Sequence, residues 1–371
     1  MRHRIFTVVT LGLLALACLP AAANASVLSI IPAKLAASQD QLAVVEVRLN
    51  SEQQVVNAVE GKVTYDPAVL EIVDVSKAGS FLTLWAEGPT VDAVAGVVSF
   101  VGGVPNGSYV INGRVLSLVF RPKTLGTTAM NIDTALSSVR LNDGLGTATP
   151  LRAETSLVSV GVYDGAINLV SSSHPQENSW YNLDDVALTW TPVKDALYAY
   201  LLADEPAALP DERFGSAVAE AAFTDVEDGA HYFILRERLP KDSWRTVAIR
   251  RVLVDTTMPE AFTPALTRDV VPGKLALVFQ TTDETSEILR YTVQEGEVLT
   301  DNATSPYTLQ DQQQRKALVV TAYDAAGNAR SVTLPGSGAT PEGTSKLLLL
   351  VLGCIFVLCS GVAVYLVRRR R

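Results

Sequence analysis

Side chains able to attack a substrate, or to move a proton at neutral pH, are scarce in this chain of 371 residues. Between Ser26 and Ser345 the only histidines are His174 and His231, and there is no cysteine. A nucleophile needs a base within reach, yet the sequence has no Gly-x-Ser-x-Gly, no Cys–His pairing and no His-Glu-x-x-His. His231 lies in "DGAHYFIL", where strand alternation makes it structural, and His174 precedes Pro175 in a loop. Carboxylates are plentiful, and cleaving a glycosidic bond needs only two. Glu71 and Asp74, however, follow a turn at Tyr65-Asp66-Pro67 and read as residues that keep a strand soluble. The expectation is a protein that is not an enzyme, with no catalytic residues, no metal ligands and no cofactor.

The ends of the chain suggest where it works. Met1-Arg2-His3-Arg4 precedes an apolar run from Ile5 to Leu19, and Ala23-Asn24-Ala25 supplies a small-x-small cleavage site. Residues 1–25 therefore read as a secretory signal peptide. Leu347 to Val367 is a run of 21 uncharged residues, enough to cross a hydrocarbon core of about 30 Å as one helix. The arginines at 368–371 then read as a cytoplasmic tail. The expected localisation is the cell surface, as a single-pass membrane protein with its N-terminus outside. Leu334 to Gly338, "LPGSG", resembles a sortase signal with serine in place of threonine, and a retained helix is the expected anchor. All 39 acidic residues lie between Ser26 and Ser345 with 23 of the 30 basic ones, a net charge of −16 there. So acidic a surface repels phosphate backbones, which argues against nucleic acid as a partner. With no cysteine in that stretch, stability must come from packed cores.

Short runs rich in Val, Thr, Leu and Ala, broken by turn signals and without a long amphipathic helix, imply β-sandwiches. Three units follow one another at 27–160, 163–259 and 260–334, then a flexible spacer at 335–346. In the second, Trp190 on a strand with Tyr198, Tyr200 and Leu202 gives an immunoglobulin-like or fibronectin-like core, and Ala208 to Phe223 reads as a long loop with room for one helical turn. The third ends in "VVTAYDAAGNARSVTLP", where Asp324, Gly327 and Asn328 form the last hairpin turn; a calcium site is the alternative there, and the turn suffices to explain the residues. In the first, "GKVTYDPAVLEIVDV" (Gly61 to Val75) reads as a half-buried strand, a stop at Pro67 and a short return. Val59, Val63 and Tyr65 share the buried parity; Glu60, Lys62 and Thr64 share the exposed one.

The early strand "QLAVVEVRLN", Tyr65-Asp66-Pro67 followed by Val69-Leu70-Glu71, "VLSLVF" within Gly113 to Phe120, and Asn142-Asp143-Gly144 occur in an order that resembles the cohesin family. Cohesins are β-sandwich modules that receive dockerins in cellulosomes and on bacterial surfaces. The resemblance spans the first unit and implies an all-β fold class: a cohesin-like jelly-roll β-sandwich, then two immunoglobulin-like β-sandwiches and one C-terminal transmembrane helix. It implies a secreted partner carrying a dockerin-like module, held on a flat sheet face that includes the strand before Tyr65-Asp66-Pro67. Glu60 matches a position where several family members carry a partner-contacting aspartate, so Glu60, Lys62 and Thr64 are the candidate partner-binding residues. The Ser99 to Ile111 region should continue that face, though Gly102-Gly103 departs from the polar and acidic residues often found there. Related carbohydrate-binding modules share the sandwich, so direct polysaccharide binding is the alternative, with Trp85 as its aromatic candidate. A structural envelope protein is the third reading.

Overall fold

Alternating residues fold as alternating residues must, into strands with one face buried. The computed structural model describes residues 25–162 and 167–337. The expected signal peptide, most of the spacer, the membrane helix and the basic tail lie outside these residues. Among the described residues no helix is long and apolar enough to cross a membrane. Their one helical piece is the 3-10 turn Glu212–Phe214, inside the stretch expected to be loop; the end of that stretch, Glu220–Phe223, is instead a strand.

Twelve strands build the first sandwich: β1 (Ser26–Ile31), β2 (Lys34–Ser38), β3 (Ala43–Asn50), β4 (Val55–Thr64), β5 (Leu70–Ser76), β6 (Leu84–Asp92), β7 (Val97–Tyr109), β8 (Gly113–Pro122), β9 (Gly126–Ile132), β10 (Ser138–Leu141), β11 (Leu151–Glu154) and β12 (Ser156–Gly161). One sheet runs β11-β1-β3-β8-β5; the other runs β2-β12-β9-β4-β7-β6, with β10 also paired to β4. Val45, Val47 and Leu49 from β3, Leu116, Leu118 and Phe120 from β8, and Val59, Val63, Val98 and Phe100 from the facing sheet form the shared core.

The stop at Pro67 is a crossover between sheets, which corrects the expected short return. β4 pairs with β7, β9 and β10, whereas β5 pairs with β8 in the opposite sheet. The chain turns because Asp66 accepts from two following amides through its main-chain oxygen and from Ala68 N–H through its side chain. Proline offers no N–H that could prolong β4. A register shift between Ile72 and Asp74 then puts Asp74 opposite Val119, on the outer face of the five-stranded sheet.

Gly61 explains the opening of that stretch. A Cβ there would overlap the ring of Phe100, so the missing side chain is what lets Phe100 fill the core behind β4. Overpacking at such a site costs about 1–3 kcal/mol. Gly61→Val should lose at least about 2 kcal/mol of stability in denaturant titration, and an unchanged midpoint would contradict this packing.

The late Asp-Gly turn lies between β10 and β11, with Gly144 and Gly146 both at positive φ. Asp143 Oδ1 accepts from the amides of Leu145 and Gly146 at 2.9 Å. Thr147 and these amides favour its charged form and hold the carboxyl at about 2, below its ordinary 3.8. Because that value is lowered by folding, the contribution of Asp143 to the turn is intact above about pH 4 and is lost as pH falls through about 2. The amide resonances of Leu145 and Gly146 should titrate with a midpoint near 2; a midpoint near 4 would contradict the geometry.

The described chain falls into two compact units. The first holds residues up to 178, 185–224 and 230–252, so the first sandwich shares it with most of the second. Within that second sandwich Leu169–Ser171, Val186–Trp190 and Glu220–Phe223 form one sheet, and Leu197–Ala203 pairs with Gly229–Arg238 in the other. Trp190 is buried, with ring centroids of Tyr198, Tyr200 and Phe233 5.5–5.9 Å away; Tyr198 and Phe233 are buried with it, whereas Tyr200, expected in the same core, is exposed. His231 is buried and its Nδ1 lies 2.7 Å from Asp204; His174, in the loop after Leu169–Ser171, is fully buried beside the Ser173 hydroxyl.

The second unit holds residues 179–184, 225–229 and 253 onwards. Its sheets are Ala265–Thr267, Ala276–Val278 and Tyr307–Thr308, against Val298–Thr300, Ile288–Glu295, Leu318–Asp324 and Ala329–Leu334. Leu277, Phe279, Val293, Leu318 and Val320 centre its core. Leu334, first residue of the sortase-like stretch, pairs with Leu318 as the end of the last strand and packs against that core.

Candidate partner-binding face

The two sheets of the first sandwich have different surroundings. On the five-stranded sheet, the outer side of β8 and its neighbours is covered by the second sandwich. Leu42, Val119, Tyr232 and Ile234 form a buried cluster there, joined by Val44, Val73, Leu201 and Ile249. Arg114 bridges Glu46 and Glu205, Arg121 pairs with Glu177 at 2.7 Å, and the Tyr232 hydroxyl donates to Asp74. Asp74 is thus half-buried in a junction and does not merely keep a strand soluble, which corrects that expectation. The same covering accounts for "VLSLVF": a strand buried on both faces reads as a continuous apolar run.

The seven-stranded sheet shows the other behaviour. Strand pairing sets Glu60 beside Val101 on β7 and Ser138 on β10, Lys62 beside Ser99, and Thr64 beside Val97 and Asn131. One strand further, Glu87 lies opposite Val101, Thr90 opposite Ser99 and Asp92 opposite Val97. Opposed residues share a face, so three rows run across β4, β7 and β6, the first continuing onto β10 through Ser138 and the third onto β9 through Asn131, all pointing away from the core. Glu60 is exposed, while Lys62 and Thr64 are half-buried. The Ser138 hydroxyl lies 3.4 Å from Glu60, and the Lys62 main chain is tied to Ser137 and Asp133. A depression of about 230 Å³ opens among Glu60, Lys62, Glu87, Ser99, Val101 and Leu136.

The three candidates from the sequence are therefore neighbours on one face, in a row along β4. Val97 and Val101 add an aliphatic centre, and Glu87 and Asp92 an acidic margin. None of these four was singled out from sequence. β7 does continue the face as anticipated, and its Gly102-Gly103 pair has packing roles. A Cβ on Gly102 would press into Leu82 and Trp85, and one on Gly103 would reach the Asn57 main-chain oxygen.

Trp85 is placed differently. It sits opposite Gly102 on β6, on the inner side, half-buried against the core and edge-on to Phe100 at 6.3 Å. Lys77 Nζ lies 5.8 Å from its ring centroid.

No family model matches the chain, and no curated protein does. Solved structures that resemble part of it include cohesin modules. One is the solution structure of a cohesin from Clostridium acetobutylicum, 16% identical, covering 37% of this chain and 92% of that one with a TM-score of 0.32. Another is a type I cohesin of Pseudobacteroides cellulosolvens, 18% identical, covering 38% and 95% with a TM-score of 0.32. A third is the cohesin module of a family 33 glycoside hydrolase from Clostridium perfringens, 12% identical, covering 38% and 98% with a TM-score of 0.31.

Proposed function

We propose that this chain is a non-catalytic surface receptor whose first sandwich captures a dockerin-like module on the β10-β4-β7-β6 face. One observation carries the reading: of the two outer sheet faces, one is occupied by the second sandwich and the other presents an ordered set of charges around two valines. Specific interfaces have this anatomy, an apolar centre within a polar rim. The excess of Glu60, Glu87 and Asp92 over Lys62 favours a partner whose contacting surface is basic. Two further sandwiches, and a helix at 347–367 retained in the membrane, would hold the module away from the cell.

The test is calorimetric titration of the full chain, in detergent micelles, with purified dockerin modules encoded by the same organism. Saturable binding at one module per chain is the expected result. No binding to any of them, with capture of polysaccharide on a glycan array, would replace this reading by the carbohydrate one.

A further inference from the structure

Three aspartates far apart in sequence meet inside the second unit. One carboxylate oxygen from each of Asp255, Asp283 and Asp324 lies within 4.8 Å of the other two. Asp255 follows the strand Arg245–Val254, Asp283 sits in the turn before Ile288–Glu295, and Asp324 closes the strand Leu318–Asp324. Asp255 and Asp324 have no exposed surface.

Their orientation is set by the main chain. Asp255 Oδ1 accepts from Thr257 N–H at 3.1 Å, Asp283 Oδ1 from Thr285 and Ser286 N–H at 2.9 Å, and Asp324 Oδ1 from Asn328 N–H at 2.9 Å. The second oxygen of each, Oδ2, is buried and has no hydrogen-bond partner. None of the ion pairs among the described residues includes any of the three. Burying one unpaired carboxylate is costly, and three close together repel one another besides. A cation among them removes both penalties.

We propose that Asp255, Asp283 and Asp324 bind one calcium ion. The donors are all hard oxygens, with no thiolate or imidazole to attract a softer metal. Calcium takes its oxygens at about 2.3–2.6 Å, so members of one coordination shell stand within about 5 Å of each other. Magnesium holds its waters and demands strict octahedral geometry, which suits a buried all-protein site less well. The ion ties the segment after Val254 to the last hairpin, where Asn328 Nδ2 already donates to the Asp255 main-chain oxygen at 2.8 Å. The Asp324-x-x-Gly327-Asn328 sequence then serves two purposes: a turn, and one wall of a metal site. This site is separate from the partner-binding face and does not depend on it.

The test uses the full chain in detergent micelles, stripped with chelator and dialysed free of it. Titration with calcium chloride should give heat that saturates at one ion per chain. Millimolar calcium should also raise the melting temperature by several degrees, with a much smaller rise from magnesium. The double variant Asp283→Asn, Asp324→Asn should lose both responses. It also removes like charges, so its calcium-free melting temperature should equal or exceed that of the stripped wild type, which separates a lost ligand from a lost fold. No saturable heat from the wild-type chain, or an unchanged calcium response in the double variant, overturns the proposal.

Discussion

Glu60→Arg should weaken capture of a dockerin-like module at least about 30-fold while leaving the fold intact, since disrupting a close interfacial charge contact costs about 2–5 kcal/mol. Glu60 stands in the middle of the face, between Ser138 on β10 and Val101 on β7, and makes no ion pair of its own among the described residues. Its charge is therefore free to serve a partner. Reversal turns a favourable contact with a basic surface into a repulsive one. The folded chain should hardly notice, because exposed strand substitutions stay within about 0.5 kcal/mol. Calorimetric titration gives the affinity and a thermal melt gives the stability. Undiminished affinity in the variant would move the site off this face. A large loss of stability would mean that Glu60 serves the fold.

Tyr232→Ala should cost about 3–5 kcal/mol, the range for removing a large buried aromatic. Tyr232 is 1% exposed, in the cluster with Leu42, Val119 and Ile234 that joins the first two sandwiches. Truncation opens a cavity there and also strips Asp74 of its hydroxyl donor. Tyr232→Phe keeps the ring and isolates the hydrogen bond, worth about 1.5–3 kcal/mol when the acceptor is charged. Burial first, and then the nearby Asp74 charge, push the phenol well above its ordinary 10.0. A raised value means the stabilisation is complete below pH 10 and declines as the solution becomes more alkaline. Denaturant titration of both variants at neutral pH measures the two losses. If Tyr232→Ala cost under about 1 kcal/mol, the two sandwiches would not share a continuous core.

Much of this was legible in the order of residues because sheets convert a period of two directly into faces. Val59, Val63 and Tyr65 are buried and Glu60 is exposed as their parity requires. Trp190 marks the core of the second sandwich for the same reason. What could not be read has local causes. β6 carries register shifts between Trp85 and Glu87 and again between Glu87 and Thr90, so simple alternation could not place Glu87 or Asp92 on the face. The shift at Val73 likewise hid the role of Asp74. The crossover after Thr64 is a long-range choice of partner strand, and Tyr65-Asp66-Pro67 announces only that the chain turns. Asp255, Asp283 and Asp324 come from three separate segments, and only their shared surroundings bring them together.

The most direct test of the account is hydrogen exchange measured by mass spectrometry on the full chain, alone and saturated with a bound dockerin module. The account predicts slowed exchange concentrated in β4, β6, β7 and β10, with β3 and β8 unchanged because the second sandwich already covers them. Protection confined to the loops at the ends of the sandwich, or to the second unit, would contradict it.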